Sequence, residues 1–469
     1  MRIIDELTPI FNAKSVAVIG GSSNVNKWGG RMVQRLLIAK YQGKVYPINT
    51  GEENVQGMYT YRSVLDVPDT VDLAVIAIPA RFVSQIMREC VQKMVKGVVI
   101  VSADFAETGS TGKALQQEIT SIARQGGMRI IGPNCQGIWN SSNHLNLALS
   151  NVPLDGSVSI ISGSGNFSHI FADFCVERGY GVNKVISMGN QADLDAADYI
   201  EFLADDNETK AIFLYLEGLH DGRKFFQVAK EAIRKKPIII FKSAKNPSVA
   251  RVAASHTGAI AGEDRVFDGM CRQTGLIRSD DMLTSLSMAA VLTMQPPAKG
   301  NRIAIMGMGG QCVTTSDICI SMGLQVPPIL EKDREFILEG IDFPPQAPPL
   351  TNPVDFAGSS LGGWGEVKVL NRLAQLDYID GIITNIPFLP RNNTNSSSEL
   401  ESTTARFVEH LAEIPRKFGK PLVFQILPGS IRDREMQKIF SDAGIIGFPS
   451  PEESVRAMYA LVKYGEIKR

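Results

Sequence analysis

Short apolar runs recur along the chain at helix-length intervals. In the first 150 residues they are SVAVIG (15–20), KVYPIN (44–49), LAVIAIP (73–79), GVVIVSA (97–103) and MRIIGPN (128–134). The stretches between them carry apolar residues at helical spacing. Over 81–95, for example, these are Phe82, Val83, Ile86, Met87, Val91, Met94 and Val95. Runs that are apolar throughout mark strands buried on both faces, and helix-length crossovers make such strands parallel. The pattern predicts an α/β protein that opens with a doubly wound, Rossmann-like domain over residues 1–150.

The rest of the chain reads as one unit written twice. SVSIISGSG (157–165) is matched by RIAIMGMGG (302–310), each a strand running into a Gly-rich turn. KAIFLYLEG (210–218) is matched by DGIITNIPF (380–388), and KKPIIIF (235–241) by GKPLVFQ (419–425). SDDMLTSLSMAAVL (279–292) corresponds to SPEESVRAMYALV (450–462), a capped helix start. A duplicated three-layer domain accounts for this order, with copies at 151–297 and 298–469 joined through QPPAKGN (295–301). The second copy carries a Pro-rich loop (344–353) and a polar loop (391–403). The first copy alone has KSAKNPSVARVAASHTGAIAGED (242–264) after its Lys-Pro strand. An insertion in one of two matched domains is the place to look for chemistry.

Composition narrows the function. Lys plus Arg number 48 and Asp plus Glu 49, a net charge of −1, which leaves no basic footprint for nucleic acid or an anionic membrane surface. No apolar run approaches the roughly 20 residues of a membrane span. The N-terminal MRIIDELTPIF has Asp5 and Glu6 where a signal peptide would be apolar. Six cysteines without C-x-x-C or a His cluster argue against disulfides and zinc, and a cytoplasmic setting is expected.

Among chemistry-bearing residues, His256 stands out, set in the small-residue run Ser255-His256-Thr257-Gly258. A neutral imidazole nitrogen near pH 7 can attack phosphorus or bind metal. The plainer alternative is a histidine that satisfies a loop carbonyl. Gly163, Ser164 and Gly165 form a strand-to-helix turn whose free N–H groups favour an anion, and Gly307-Met308-Gly309-Gly310 offers the same geometry in the second copy. Glycine in such turns also has purely steric uses. Glu217 ends a strand, where the ligand crevice of a parallel sheet lies. It is suited to accept an imidazole N–H, or else it is a solvated loop acid. In the first domain Gly20-Gly21-Ser22-Ser23 follows the first strand but is not G-x-G-x-x-G, and Asn49-Thr50 replaces the acid that holds an NAD ribose. That disfavours an NAD(P)-dependent oxidoreductase and suits a phosphorylated adenosine without nicotinamide, coenzyme A among them.

Together these residues resemble the nucleoside-diphosphate-forming acyl-CoA synthetases, over nearly the whole chain. The motifs are Gly132-Pro133-Asn134-Cys135-Gln136-Gly137, Ser187-Met188-Gly189-Asn190-Gln191-Ala192-Asp193, Tyr215-Leu216-Glu217-Gly218 and Ser255-His256-Thr257-Gly258. The resemblance is greatest to the α subunit of the ADP-forming acetate–CoA ligase type. It implies a CoA-binding domain followed by two flavodoxin-like, succinyl-CoA synthetase-type domains. It also implies that His256 is phosphorylated, that Glu217 stabilises it, and that Gly163, Ser164 and Gly165 bind phosphate. Gly20, Ser22, Ser23, Asn49, Ile78, Pro79, Ser102 and Asn134 fall on segments that line a CoA site. The implied reaction is acyl-CoA + phosphate + ADP ⇌ carboxylic acid + CoA + ATP. No segment resembles an ATP-grasp domain, so ADP or ATP with Mg2+ is expected on a separate ATP-grasp β subunit, with no metal held by this chain. Two positions depart from the pattern. Ser162-Gly163-Ser164-Gly165 replaces Ser-Gln-Ser-Gly, and His169 stands where succinyl-CoA synthetases carry Tyr. Protein acyltransferases with degenerate ligase domains share the arrangement, which leaves a CoA- or acyl-CoA-sensing regulatory module as the alternative.

Overall fold

The computed structural model describes residues 2–246, 263–385 apart from 346, 358, 360 and 362, 397–426 and 434–469. The chain divides into two compact units, residues 1–176 with 180–282 and residues 177–179 with 283–469.

The first unit holds two large sheets. In the first, β1 (Ser15–Ile19), β2 (Lys44–Ile48), β5 (Leu73–Ile76), β6 (Gly97–Ile100) and β7 (Arg129–Ile131) run parallel in the order β2-β1-β5-β6-β7. These are the five strands expected. Beside them lies the short hairpin of β3 (Asn54–Val55) and β4 (Met58–Tyr59). The β1, β5 and β6 strands are buried along their whole length, as their unbroken apolar sequence requires. The helix Val83–Gln92 covers the sheet with Val83, Met87 and Cys90, whereas Phe82 and Met94 lie beyond its ends and are exposed.

The second sheet has seven strands. β10 (Asp155–Ser162), β11 (Val182–Ser187), β12 (Ala211–Leu216), β13 (Ile238–Lys242) and β14 (Ile277–Arg278) are parallel. β8 (Ile138–Asn140) then pairs antiparallel with β11, and β9 (Leu145–Asn146) with β8. The order is β14-β13-β12-β10-β11-β8-β9. Residues 138–146, read from sequence as part of the first domain, therefore complete the sheet of the next. Strands of three and two residues carry no periodic signal, and the pairing of β8 with β11 is non-local.

The second unit contains one parallel sheet, β15 (Ile303–Gly307), β16 (Val354–Asp355), β17 (Gly381–Asn385), β18 (Leu422–Gln425) and β19 (Gly447–Phe448), ordered β16-β15-β17-β18-β19. Reversed, this is β19-β18-β17-β15-β16, strand for strand the order β14-β13-β12-β10-β11. The register agrees as well. Val158 pairs with Ala211 as Ile303 pairs with Gly381, which is the alignment of the two sequence copies. The helix Met282–Met294 groups with this unit from Leu283 onward. Its residues 284–292 are all buried, and Gln295 behind it anchors it there. The Gln295 amide donates to Gly444 O (2.7 Å) and accepts from Leu422 N (3.0 Å). The polar stretch 391–403, expected as a loop, already contains the start of the helix Ser397–Phe418.

Candidate functional site

The parallel strands of the first sheet end along one edge, where a doubly wound fold takes its ligands. Gly20 follows β1 and donates its N–H to Ile48 O (2.9 Å). Asn49 follows β2. Its amide donates to Gly21 O (2.7 Å), while its carbonyl oxygen accepts from Gly51 N (2.8 Å) and Glu52 N (3.2 Å). The Ser22 hydroxyl (2.7 Å) and Ser23 N (2.9 Å) both donate to the Glu52 carboxylate. These bonds hold Glu52 below the usual carboxylate range. The expected cofactor residues of the first turn are thus gathered around an acid that the sequence reading did not single out. Ile78 and exposed Pro79 follow β5. The Ser102 hydroxyl donates to Ile78 O (2.5 Å), and Ser102 O accepts from Asn134 N (2.9 Å), tying β5, β6 and the segment after β7 together.

On the facing sheet, β10 ends in the turn Gly163-Ser164 and the helix Gly165–Glu177 begins. The Ser162 hydroxyl shapes this turn, donating to Ser164 O (2.6 Å) and accepting from Ser164 N (3.2 Å). Phe171 of the helix packs on Phe213 of β12, and Phe167 on Tyr215, both with centroids 4.9 Å apart. That packing fixes the helix N-terminus, whose first-turn N–H groups have no intrahelical acceptor. Glu217 stands just past β12. Burial raises the Tyr215 phenol above its ordinary value, and the neighbouring Glu217 carboxylate acts in the same direction.

The two sheets are locked through their motifs. Asn190 N donates to Pro133 O (2.9 Å), Ala192 N to Gly132 O (3.0 Å) and Ser187 N to Gly137 O (3.1 Å). In return Gln136 N donates to the Ser187 hydroxyl (2.9 Å). The approach is close at Gly189, where φ is +58° and a Cβ would come 2.2 Å from Pro133 O.

Between the sheets lies a cavity of about 490 Å³. Ser102, Asn134 and Gln136 line it from the first domain's segments. Gly163, Ser164, Gly165 and Glu217 line it from the second sheet. The expected phosphate turn, the expected acid and two of the expected CoA residues therefore meet in one space. Gly20, Ser22, Ser23, Asn49, Ile78 and Pro79 lie outside that lining, along the same sheet edge. His256 and the rest of 247–262 lie outside the described residues. Trp28, Gln136, Asn166, Gly189 and Asn190 also line the cavity and were not among the expected site residues. Gln136, Gly189 and Asn190 sit inside the motifs quoted above, so their position carried the signal. Trp28, at the start of the helix Trp28–Ile38, gave none. Cys135 also borders the cavity, but burial pushes its thiol up to about 12, so it is no thiolate nucleophile.

Residues 14–141 match the family model of a CoA binding domain, and residues 155–292 that of a succinyl-CoA ligase like flavodoxin domain. The chain is 39% identical to the α subunit of ADP-forming acetate–CoA ligase II of Pyrococcus furiosus, over 97% of this chain and 96% of that one. It belongs to the nucleoside-diphosphate-forming acyl-CoA synthetase family. The α subunit of the same organism's ADP-forming acetate–CoA ligase I is 36% identical over 98% of each chain. Among solved structures, a crystal structure of a Pyrococcus horikoshii protein superposes with a TM-score of 0.85, at 35% identity over 98% of this chain and 99% of that one. The dinucleotide-forming acetyl-coenzyme A synthetase 1 of Ca. Korarchaeum cryptofilum, in complex with phosphate and ADP, gives 0.85 at 28% identity, over 98% and 97%.

In this member of the synthetase family, the second copy's Gly-rich turn departs from the expected anion site. Register places Asp355 at the position of Ser187, and the Asp355 carboxylate accepts Gly309 N (2.9 Å) and Ala357 N (2.8 Å). Gly309 N, the counterpart of Ser164 N, is thus held by a carboxylate of the chain, where Ser164 N is held by the neutral Ser162 hydroxyl. Asn385 fills the remaining space. A Cβ on Gly307 would lie 2.1 Å from its Oδ1, and its amide donates to Gln311. Among the described residues, no helix of either unit is long and apolar enough to cross a membrane.

Proposed function

We propose that the chain is the α subunit of an ADP-forming acyl-CoA synthetase. It interconverts acyl-CoA, ADP and phosphate with a small carboxylic acid, CoA and ATP, through an acyl phosphate and a phosphohistidine at His256. The observation that carries this reading is the cavity shared by the two sheets. One wall comes from the CoA-binding domain, through Ser102 and Asn134, and the other from the phosphate turn with Glu217. A thioester held on the first wall would face a phosphate held on the second, which is the arrangement acyl transfer to phosphate requires. The helix N-terminus at Gly163, Ser164 and Gly165 holds the phosphate, and its N–H groups stabilise charge during transfer. Phosphate attacks the carbonyl, the carbon–sulfur bond breaks, and CoA leaves as thiolate. His256 then attacks phosphorus and the carboxylate departs. Glu217 accepts the other imidazole N–H, fixing which nitrogen reacts.

ADP or ATP with Mg2+ binds to an ATP-grasp β subunit, and the phosphohistidine loop reaches it there, in the cytoplasm. The full-length relatives named as ligase α subunits favour this enzyme over a regulatory module. The test is intact mass after incubation with acetyl phosphate, alone and with the β subunit and ATP, beside His256→Ala. An acid-labile gain of one phosphoryl group, absent in the variant, is expected. Absence of any gain under both conditions refutes the phosphohistidine and returns the chain to a sensing role.

A further inference from the structure

The segment 132–137 brings a side chain across the phosphate turn. Gln136 is pinned through its backbone to Ser187, and its side chain lies against the first residue of the helix Gly165–Glu177. A Cβ on Gly165 would stand 2.4 Å from Gln136 Cγ, so this approach requires glycine. One turn further along, His169 Nε2 is 3.1 Å from Gln136 Oε1. An amide oxygen only accepts, so the imidazole nitrogen facing it is the one carrying hydrogen. Gln136 lines the cavity beside Gly163, Ser164 and Gly165. With its oxygen engaged by His169, its NH2 group is the part left for the cavity.

We propose that Gln136 is a binding residue for the acyl phosphate and that His169 is its positioning residue. The His169 N–H holds the Gln136 oxygen and thereby turns two amide donors toward the phosphate turn. The proposal rests on the reaction assigned above and adds a side-chain donor to a site otherwise built of backbone N–H groups. A neutral donor suits it. It binds an oxygen of a phosphate or a developing acyl phosphate without holding the product as a full cation would. The state of His169 fits this part. Burial, and next the Arg35 cation, lower it to about 4, against a smaller opposing effect of Asp173. It therefore keeps one N–H and one lone pair throughout the neutral range.

The experiment uses the complex with its β subunit, in the direction acetyl-CoA + ADP + phosphate, with inorganic phosphate varied. Gln136→Leu and His169→Phe are each expected to lower kcat/KM for phosphate about five- to tenfold, the worth of one or two neutral hydrogen bonds. The dissociation constant for CoA and the unfolding temperature should remain at wild-type values, which a merely structural role would not allow. Because His169 acts through Gln136, the double variant should be no worse than the poorer single one. Gln136→Glu, which replaces a donor with a like charge, should lose more than Gln136→Leu. Multiplying losses in the double variant, or an unchanged His169→Phe, would overturn the pairing. A wild-type complex that turns over neither acetyl-CoA nor a panel of other acyl-CoAs would instead refute the reaction itself.

Discussion

Gly189→Ala probes the joint between the two sheets at its tightest point. Gly189 has φ +58°, a conformation that costs an alanine roughly 1 kcal/mol. Its new Cβ would meet Pro133 O at 2.2 Å and Asn134 O at 2.8 Å. Both are backbone atoms, so no rotamer change relieves the clash, and the segment 132–137 must move. That movement breaks the bonds from Asn190 N to Pro133 O and from Ala192 N to Gly132 O, about 1 kcal/mol each. The sum is about 3 kcal/mol. At about 2 °C per kcal/mol for a unit of this size, the first transition should fall by about 6 °C. Scanning calorimetry of the purified chain reads this, with Gly222→Ala as control. Gly222 opens the helix Gly222–Lys235 with nothing within 4 Å of its would-be Cβ, and should change stability by less than about 1 kcal/mol. Gly189→Ala melting within 1–2 °C of wild type would refute the argument that these motifs hold the sheets together, on the scale of about 2 °C per kcal/mol.

Other outcomes follow from the site. His256→Ala should abolish turnover with the β subunit while CoA still binds the first domain in a calorimetric titration; loss of CoA binding would contradict the division of labour. Glu217→Gln should lower phosphohistidine occupancy, read by intact mass, without altering the circular dichroism spectrum. His169 gives a pH signature in stability. Its folded value near 4 lies below the unfolded value near 6.5, so between them the unfolded chain binds the extra proton. Stability is full above about 6.5 and declines as pH falls toward 4. Urea titrations of His169→Phe should show a shallower decline over that window, and an identical slope would remove His169 from the account.

Much of the arrangement was legible because it rests on local pattern. The five strands of the first sheet are unbroken apolar runs, and the correspondence between the second and third sheets follows from the copied strand-turn signatures. Strands β8 and β9 were not legible, since Ile138–Asn140 becomes a strand only by pairing with β11, and Leu145–Asn146 only by pairing with β8. The site divided in the same way. Glycine turns and Glu217 announce themselves by type and place at strand ends, Asn134 by the motif around it, and Ser102 only by what the resemblance implies. Gln136 stood inside a quoted motif, but its two contacts, one with Gly165 and one with His169, are made only by folding. Asp355 drew no notice in the sequence. Its meaning lies in the register that sets it opposite Gly307, where the first copy has Ser187 opposite Ser162.

That register divides the two Gly-rich turns by where their negative charge originates. At Gly309 it is supplied by the chain, through Asp355, so the turn is complete whatever the solution contains. At Gly163, Ser164 and Gly165, with phosphate bound as proposed, it is supplied from outside. A ligand that binds only the folded form adds RT ln(1 + [L]/Kd) to stability, about 2.7 kcal/mol at a hundredfold excess over Kd. With phosphate bound there, the first unit's stability would rise with the phosphate around it, while the turn at Gly309, already closed by Asp355, would add no such dependence. Scarcity of the inorganic substrate would then loosen the unit that consumes it while leaving its duplicate firm, so that one polypeptide carries a phosphate-dependent stability beside an internal reference for it.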